Sequence, residues 1–262
     1  MDLGLKDQPA VVLAASAGLG YATAHALARE GARVALCART LERAQAAARR
    51  IEADTGVPTR GYAADVADAE SLRAFIDAAA RDLGGLRILV CNAGGPPPGN
   101  FTALGEAQWA AAYQLTLMSV VRSVSAALPH LRAGGGGRIL ALLSSSVKRP
   151  LDNLTLSNAL RPAVHGLCKS LSVEFGPDNI QVNGLAPGRV LTERIQQLDE
   201  AAAARRGTNW QTVREASERE VPMGRLGTPD EFGRVAAFLC SPAAQYVNGS
   251  TLLVDGGAVT AL

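Results

Sequence analysis

Short runs rich in Val, Ile, Leu and Ala alternate with longer helix-spaced segments from one end of the chain to the other. No other feature restricts the fold as much. The runs Ala10–Ala14, Arg33–Ala38, Pro58–Ala63, Leu86–Cys91, Arg138–Leu143, Ile180–Leu185 and Thr251–Val254 are mostly continuous in apolar character rather than alternating. Parallel strands covered on both faces carry that pattern. Leu19–Glu30, Leu41–Asp54, Ala69–Leu83, Glu106–Leu131, Thr155–Phe175 and Asp230–Leu239 have helical spacing. Gly31, Gly56, Gly84, Gly134 and Gly176 follow five of these segments, where left-handed caps are expected. The repetition predicts an α/β fold: a doubly wound parallel sheet of about seven strands with helices on both faces. Ligands of such sheets bind in the crevice beyond the carboxyl ends of the strands. A length of 262 residues, 48% hydrophobic, fits a single domain over 1–262.

Charge and cysteine usage exclude several classes of function. Twenty-six Lys and Arg stand against 24 Asp and Glu, for a formal charge of +2. This balance gives no electrostatic reason to expect nucleic acid or an anionic membrane surface as partner. No apolar run reaches the roughly 20 residues of a membrane span, and the mixed-charge N-terminus does not read as a secretory signal. Cys37, Cys91, Cys168 and Cys240 lie far apart, without metal-ligand spacing. They read as reduced core thiols of a cytoplasmic protein, with no metal site.

Two stretches interrupt the rhythm. Gly94–Asn100, reading GGPPPGN, is too rich in Gly and Pro for helix or strand. Residues 188–227 include a polar helical stretch, Glu193 to Glu220, where a substrate lid would sit. The run Gly134–Gly137 lies at the opposite end of the strands and reads as a linker.

The first strand runs into Leu13-Ala14-Ala15-Ser16-Ala17-Gly18-Leu19-Gly20 and then an Ala-rich helix. A strand–glycine turn–helix points backbone N–H groups and the positive helix end at a phosphate. The second strand ends in Cys37-Ala38-Arg39, with no carboxylate for a ribose 2′-hydroxyl. Arg39 instead offers a guanidinium to a 2′-phosphate.

Here, and along almost its whole length, the chain resembles the short-chain dehydrogenase/reductase family, in its β-ketoacyl-carrier-protein-reductase-like branch. The family turn T-G-x-x-x-G-x-G appears with Leu13 and Ala14 in place of Thr and the first Gly. Asp65-Val66 matches the D-V that lies by the adenine, and Asn92-Ala93-Gly94 matches N-A-G. Pro187-Gly188 through Thr192 matches the P-G-x-x-x-T that closes over the nicotinamide. Pro222-Met223-Gly224-Arg225 and Val254-Asp255-Gly256-Gly257 match the C-terminal region. The resemblance implies a Rossmann-like fold and a homotetramer. It also implies a dinucleotide site at Ala14, Ser16, Gly18, Leu19, Gly20, Arg39, Asp65, Val66, Asn92, Ala93, Gly94, Arg161, Pro187, Gly188 and Thr192, with NADP(H) favoured over NAD(H).

The same resemblance implies an Asn-Ser-Tyr-Lys tetrad, and there the chain departs from the pattern. Ser144 stands at the Ser, but Thr116, Ser157 and Arg161 occupy the Asn, Tyr and Lys positions. A serine hydroxyl is a far weaker acid than a phenol, whose ordinary pKa is near 10. A positioned general acid is worth roughly 10²–10⁴ in rate, so turnover on ordinary ketones is expected to be feeble. Two readings stay open. One is an oxidoreductase acting on the carbonyl/alcohol pair of a small molecule, delivering its proton through Ser144, Ser157 or ordered water. The other is a pseudoenzyme serving as a nucleotide-sensing or assembly subunit. Tyr113 and Lys148 are candidate replacements for the phenol. His165 reads as packing, and Ser145 and Ser146 as substrate contacts or strand-end hydrogen-bonding groups.

Overall fold

A computed structural model describes residues 2–261; the two ends of the expected unit, Met1 and Leu262, lie outside the described residues. The strands are β1 (Pro9–Val12), β2 (Arg33–Ala38), β3 (Thr59–Ala63), β4 (Ile88–Cys91), β5 (Gly137–Leu142), β6 (Ile180–Pro187) and β7 (Thr251–Val254). They form one sheet in the order β3-β2-β1-β4-β5-β6-β7, and every neighbouring pair is parallel. The helices are α1 (Gly18–Arg29), α2 (Leu41–Thr55), α3 (Ala69–Leu83), α4 (Glu106–Tyr113), α5 (Ser119–Ala133), α6 (Thr155–Glu174), α7 (Glu193–Arg206), α8 (Trp210–Glu220) and α9 (Pro229–Leu239). This is the Rossmann-like doubly wound sheet expected from the alternation.

The continuous apolar runs follow from burial on both faces. Every residue of β1 and β4 is buried, whereas the outer strands β3 and β7 are only partly so. On one face Leu72, Phe75 and Ile76 of α3, Leu131 of α5 and Val164 of α6 pack against the strands. On the other, Leu27 of α1, Ile51 of α2 and Phe232 of α9 do the same. Fully burying each such side chain contributes about 1.5–3 kcal/mol. No helix among the described residues is long and apolar enough to cross a membrane.

The differences from the sequence reading have local causes. The strand expected at Ala10–Ala14 stops at Val12, because the chain turns and Ala14 takes φ +47°. β3 starts one residue late and β4 two, β5 is shifted back by one residue so that Gly137 belongs to it, and β6 runs on to Pro187. The helix expected as a single Glu106–Leu131 element is interrupted by a π-helical turn at Gln114–Met118, and it continues to Ala133. Gly31, Gly56 and Gly84 do adopt positive φ. Gly134 does not, since its φ is −76° and the left-handed turn falls to Gly135 and Gly136. Gly176 does not either: the chain passes through a 3₁₀ turn and Asn179 takes the left-handed conformation. The interrupting polar stretch is two helices, α7 and α8, separated by Gly207 in a left-handed cap.

Candidate active site

The strand order reverses between β1 and β4, and the loops that leave the carboxyl ends of β1, β4, β5 and β6 surround a cavity of about 720 Å³. That is the size range of sites for small organic ligands. The β1–α1 turn forms one wall. Gly20 packs so closely that a Cβ there would lie 2.5 Å from the Asn92 side-chain nitrogen. Asn92 reaches back across the turn and donates from Nδ2 to the carbonyls of Leu13 (3.2 Å) and Ala14 (3.0 Å). These bonds, with the Ala14 N–H against Cys37 Sγ at 3.4 Å, hold Ala14 in the left-handed region. For a residue with a Cβ that conformation costs roughly 1–2 kcal/mol. Glycine would adopt it without strain, which explains the family's preference there.

The start of α1 is open to an anion. Ala17 supplies no side-chain cap and the first turn holds no acid. By contrast α2, α3, α7, α8 and α9 are each capped by a Thr, Asp or Asn side chain. Free N–H groups and the helix dipole at α1 together suit a phosphate.

Opposite this wall stand Ser144, Ser157 and Arg161. Ser144 Oγ accepts the Ser146 N–H at 3.1 Å, which fixes the side chain and leaves its own proton free to donate. The Ser157 hydroxyl is buried and lies 3.2 Å from Ser146 Oγ, so the two share a hydrogen bond. Arg161 is 9% exposed and donates from Nη1 to the Leu142 carbonyl at 2.6 Å, with no carboxylate partner among the described residues. Burial pulls its pKa down to about 10, so at neutral pH it stays charged and is no proton source.

Thr116, at the Asn position of the tetrad, does not line the cavity. It sits in the π-helical turn with Oγ1 buried and without a hydrogen-bond partner among the described residues. Tyr113 and Lys148 are exposed and also lie outside the cavity wall, which removes the basis for reading either as a substitute for the phenol. His165 ties α6 to the edge strand through Nδ1 and Thr251 Oγ1 at 2.8 Å. Ser145 lines the cavity, whereas Ser146 serves Ser157. Ala14, Gly18, Leu19, Gly20, Asn92, Ala93, Gly94, Pro187, Gly188 and Thr192 line the cavity together.

Ser16, Arg39, Asp65 and Val66 lie outside that wall. Arg39 is exposed at the end of β2, without an ion-pair partner among the described residues. Asp65 Oδ1 accepts the Ala67 N–H at 2.9 Å, and Val66 belongs to the core. The four cysteines are free and buried, and burial pushes each thiol up to about 12. None is a nucleophile at neutral pH.

Several residues of the site were not singled out in the sequence. Asp199 of α7 is fully buried between Arg189, with which it forms an ion pair, and Arg214 Nε at 2.6 Å. Arg194 Nη2 donates to the Pro96 carbonyl at 2.7 Å, joining α7 to the GGPPPGN loop. The far end of that loop bridges Gly99 to Leu154, just before α6. These pairings span up to 98 residues of chain, and no local pattern announces them.

A family model described as Enoyl-(Acyl carrier protein) reductase matches residues 13–259. The chain belongs to the short-chain dehydrogenase/reductase family. Among curated members, the D-threitol dehydrogenase of Mycolicibacterium smegmatis is 34% identical over 257 residues, covering 98% of this chain and 94% of that one. The structure of L-sorbose reductase from Gluconobacter frateurii, complexed with NADPH and L-sorbose, superposes with a TM-score of 0.94 at 32% identity, over 100% of both chains. A short chain oxidoreductase from Pseudomonas aeruginosa PAO1, solved with NADPH and described as containing an atypical catalytic center, superposes at 0.88 with 34% identity, over 97% of both chains.

Proposed function

We propose that this member of the family interconverts a carbonyl and an alcohol with NADP(H), and that it delivers the proton in a non-standard way. The observation that carries the reading is the convergence in one cavity of the uncapped α1 turn, Ser144, Ser157, Arg161 and the Pro187–Thr192 segment. The turn fits a pyrophosphate, because a Cβ at Gly18 would meet nothing nearer than Thr192 Cγ2 at 3.9 Å and the start of α1 carries no side-chain cap. Asp65 and Val66 would flank the adenine, Arg39 would meet the 2′-phosphate, and Arg161 would bond the nicotinamide ribose. Thr192 and Pro187-Gly188 would close over the nicotinamide. The cofactor, when bound, would supply or accept a hydride.

The chain's own residues would handle the charge and the proton. Ser144, with its Oγ fixed by Ser146, donates a hydrogen bond to the substrate oxygen. Arg161 is itself buried, so water screens its positive charge little and the charge acts strongly on a developing oxyanion. Ser157 and ordered water complete proton delivery. Residues 188–227, carrying α7 and α8, form the substrate lid of a single 1–262 dinucleotide-binding unit. The four buried free thiols support a cytoplasmic, reducing environment.

The cofactor reading is tested by titrating the protein with NADPH and NADH. A charge-assisted contact from Arg39 is worth about 1.5–3 kcal/mol, so NADPH should bind roughly tenfold or more tightly. Arg39→Ala should erase the preference. Equal affinities for the two nucleotides would overturn this assignment.

We also propose a homotetramer. Phe101, Tyr113, Val173 and Leu252 are exposed apolar residues, and isologous contacts are the common route to closed symmetry. Light scattering should give four times the 27.1 kDa chain mass. A monomer at micromolar concentration would refute it.

A further inference from the structure

We infer that Arg194 is the recognition residue for an oxyanion, a carboxylate or phosphate, carried by the substrate. The inference rests on the oxidoreductase reading of this cavity and names the class of molecule it takes. Arg194 is in the first turn of α7, where the helix dipole disfavours a cation. Its pKa is pulled down by burial, and no carboxylate pairs with it among the described residues. A guanidinium has five N–H donors. The Pro96 carbonyl takes one, and the others have no partner among the described residues.

An arginine kept charged and underused in a cavity wall is poorly explained by stability, because a glutamine could make the bond to Pro96. The wall around it is cationic as a whole. Six arginines line the cavity against four acids, and setting aside the Arg189–Asp199 pair leaves five against three.

Its position assigns the anion to the substrate rather than to the cofactor. Thr192, at the cap of α7, faces the phosphate turn: a Cβ built on Gly18 would lie 3.9 Å from Thr192 Cγ2. Arg194 turns instead to Gly95 and Pro96, in the loop that bridges to Leu154 and thereby to the helix bearing Ser157. A substrate held there by its anionic end would present its other end toward Ser144 and Ser157. Forked recognition of this kind is the particular strength of arginine.

The test titrates glutarate, its uncharged analogue glutaramide, and inorganic phosphate into the NADPH-saturated protein at constant ionic strength. Wild-type protein should bind glutarate or phosphate and ignore glutaramide. Arg194→Gln keeps a donor for Pro96; it should weaken the anion about tenfold or more while the NADPH Kd stays unchanged. Arg194→Lys should fall between the two. Loss of NADPH affinity with anion binding intact would assign Arg194 to the cofactor pyrophosphate and overturn the inference. So would wild-type protein that binds neither anion, or an Arg194→Gln variant that binds them equally well. If wild-type protein does not bind NADPH, the oxidoreductase reading falls separately. The same anion titration of the free protein then still decides the role of Arg194.

Discussion

Restoring three side chains at once, Thr116→Asn, Ser157→Tyr and Arg161→Lys, should raise NADPH-linked turnover of simple ketones by roughly 10²–10⁴, the worth of a positioned general acid. The negative charge that builds on the substrate oxygen needs a donor able to surrender its proton, and Ser144 can only hydrogen-bond to it. Ser157 borders a cavity of about 720 Å³, so a phenol there has room to extend. Its present partner Ser146 keeps the Ser157 carbonyl at 3.4 Å. Ser157→Tyr alone should do little. Arg161 would still be drawn to the Leu142 carbonyl, and catalytic groups that act as a unit do not contribute one at a time. Steady-state kinetics of the parent, the single and the triple variants decide the matter. A triple variant that binds NADPH normally yet turns over no faster would show that the proton path lies elsewhere. Brisk turnover by the parent, indifferent to Ser157→Ala, would show the same.

Neutralising Asp199 should loosen α7 and α8, the proposed lid, while leaving the sheet untouched. Its carboxylate has no exposed surface and is paired with both Arg189 and Arg214. Removing one partner from a buried ion pair costs about 3–5 kcal/mol, because the remaining charges stay desolvated. Here two guanidiniums would also face each other without a counter-charge. The apolar packing of the lid offers little to offset this: Ala203 and Val213 are the buried apolar residues of α7 and α8. The loss should therefore appear as local opening. Amide exchange over residues 193–220 in Asp199→Asn should accelerate on the order of 10²–10⁴-fold, up to the limit set by lid opening in the parent. Exchange in β1, β4 and β5 should not change. Unaltered protection of α7 and α8 would mean that the triad contributes nothing to lid closure.

The fold was legible because its determinants are local and repeated. Seven apolar runs, helix-spaced segments between them and the glycine turn after the first run dictate a parallel sheet with a crevice at its carboxyl end. Burial on both faces imposes that composition on each strand separately. Gly18 could be read from the strand–glycine turn–helix itself, whereas Ser144, Ser157 and Arg161 were implied only by the resemblance to the family's motifs. What the sequence could not convey is what those side chains touch. The Ser146–Ser157 hydrogen bond, the burial of Thr116 in its π-helical turn and the strain at Ala14 each depend on neighbours from other elements. Tyr113 and Lys148 were plausible by spacing, and only the folded chain shows that both are exposed and outside the cavity wall. Asp199 between two arginines and Arg194 on Pro96 are set by tertiary packing alone. Charge pairing acts through space over a few ångströms, whereas periodicity records only how each segment meets the core.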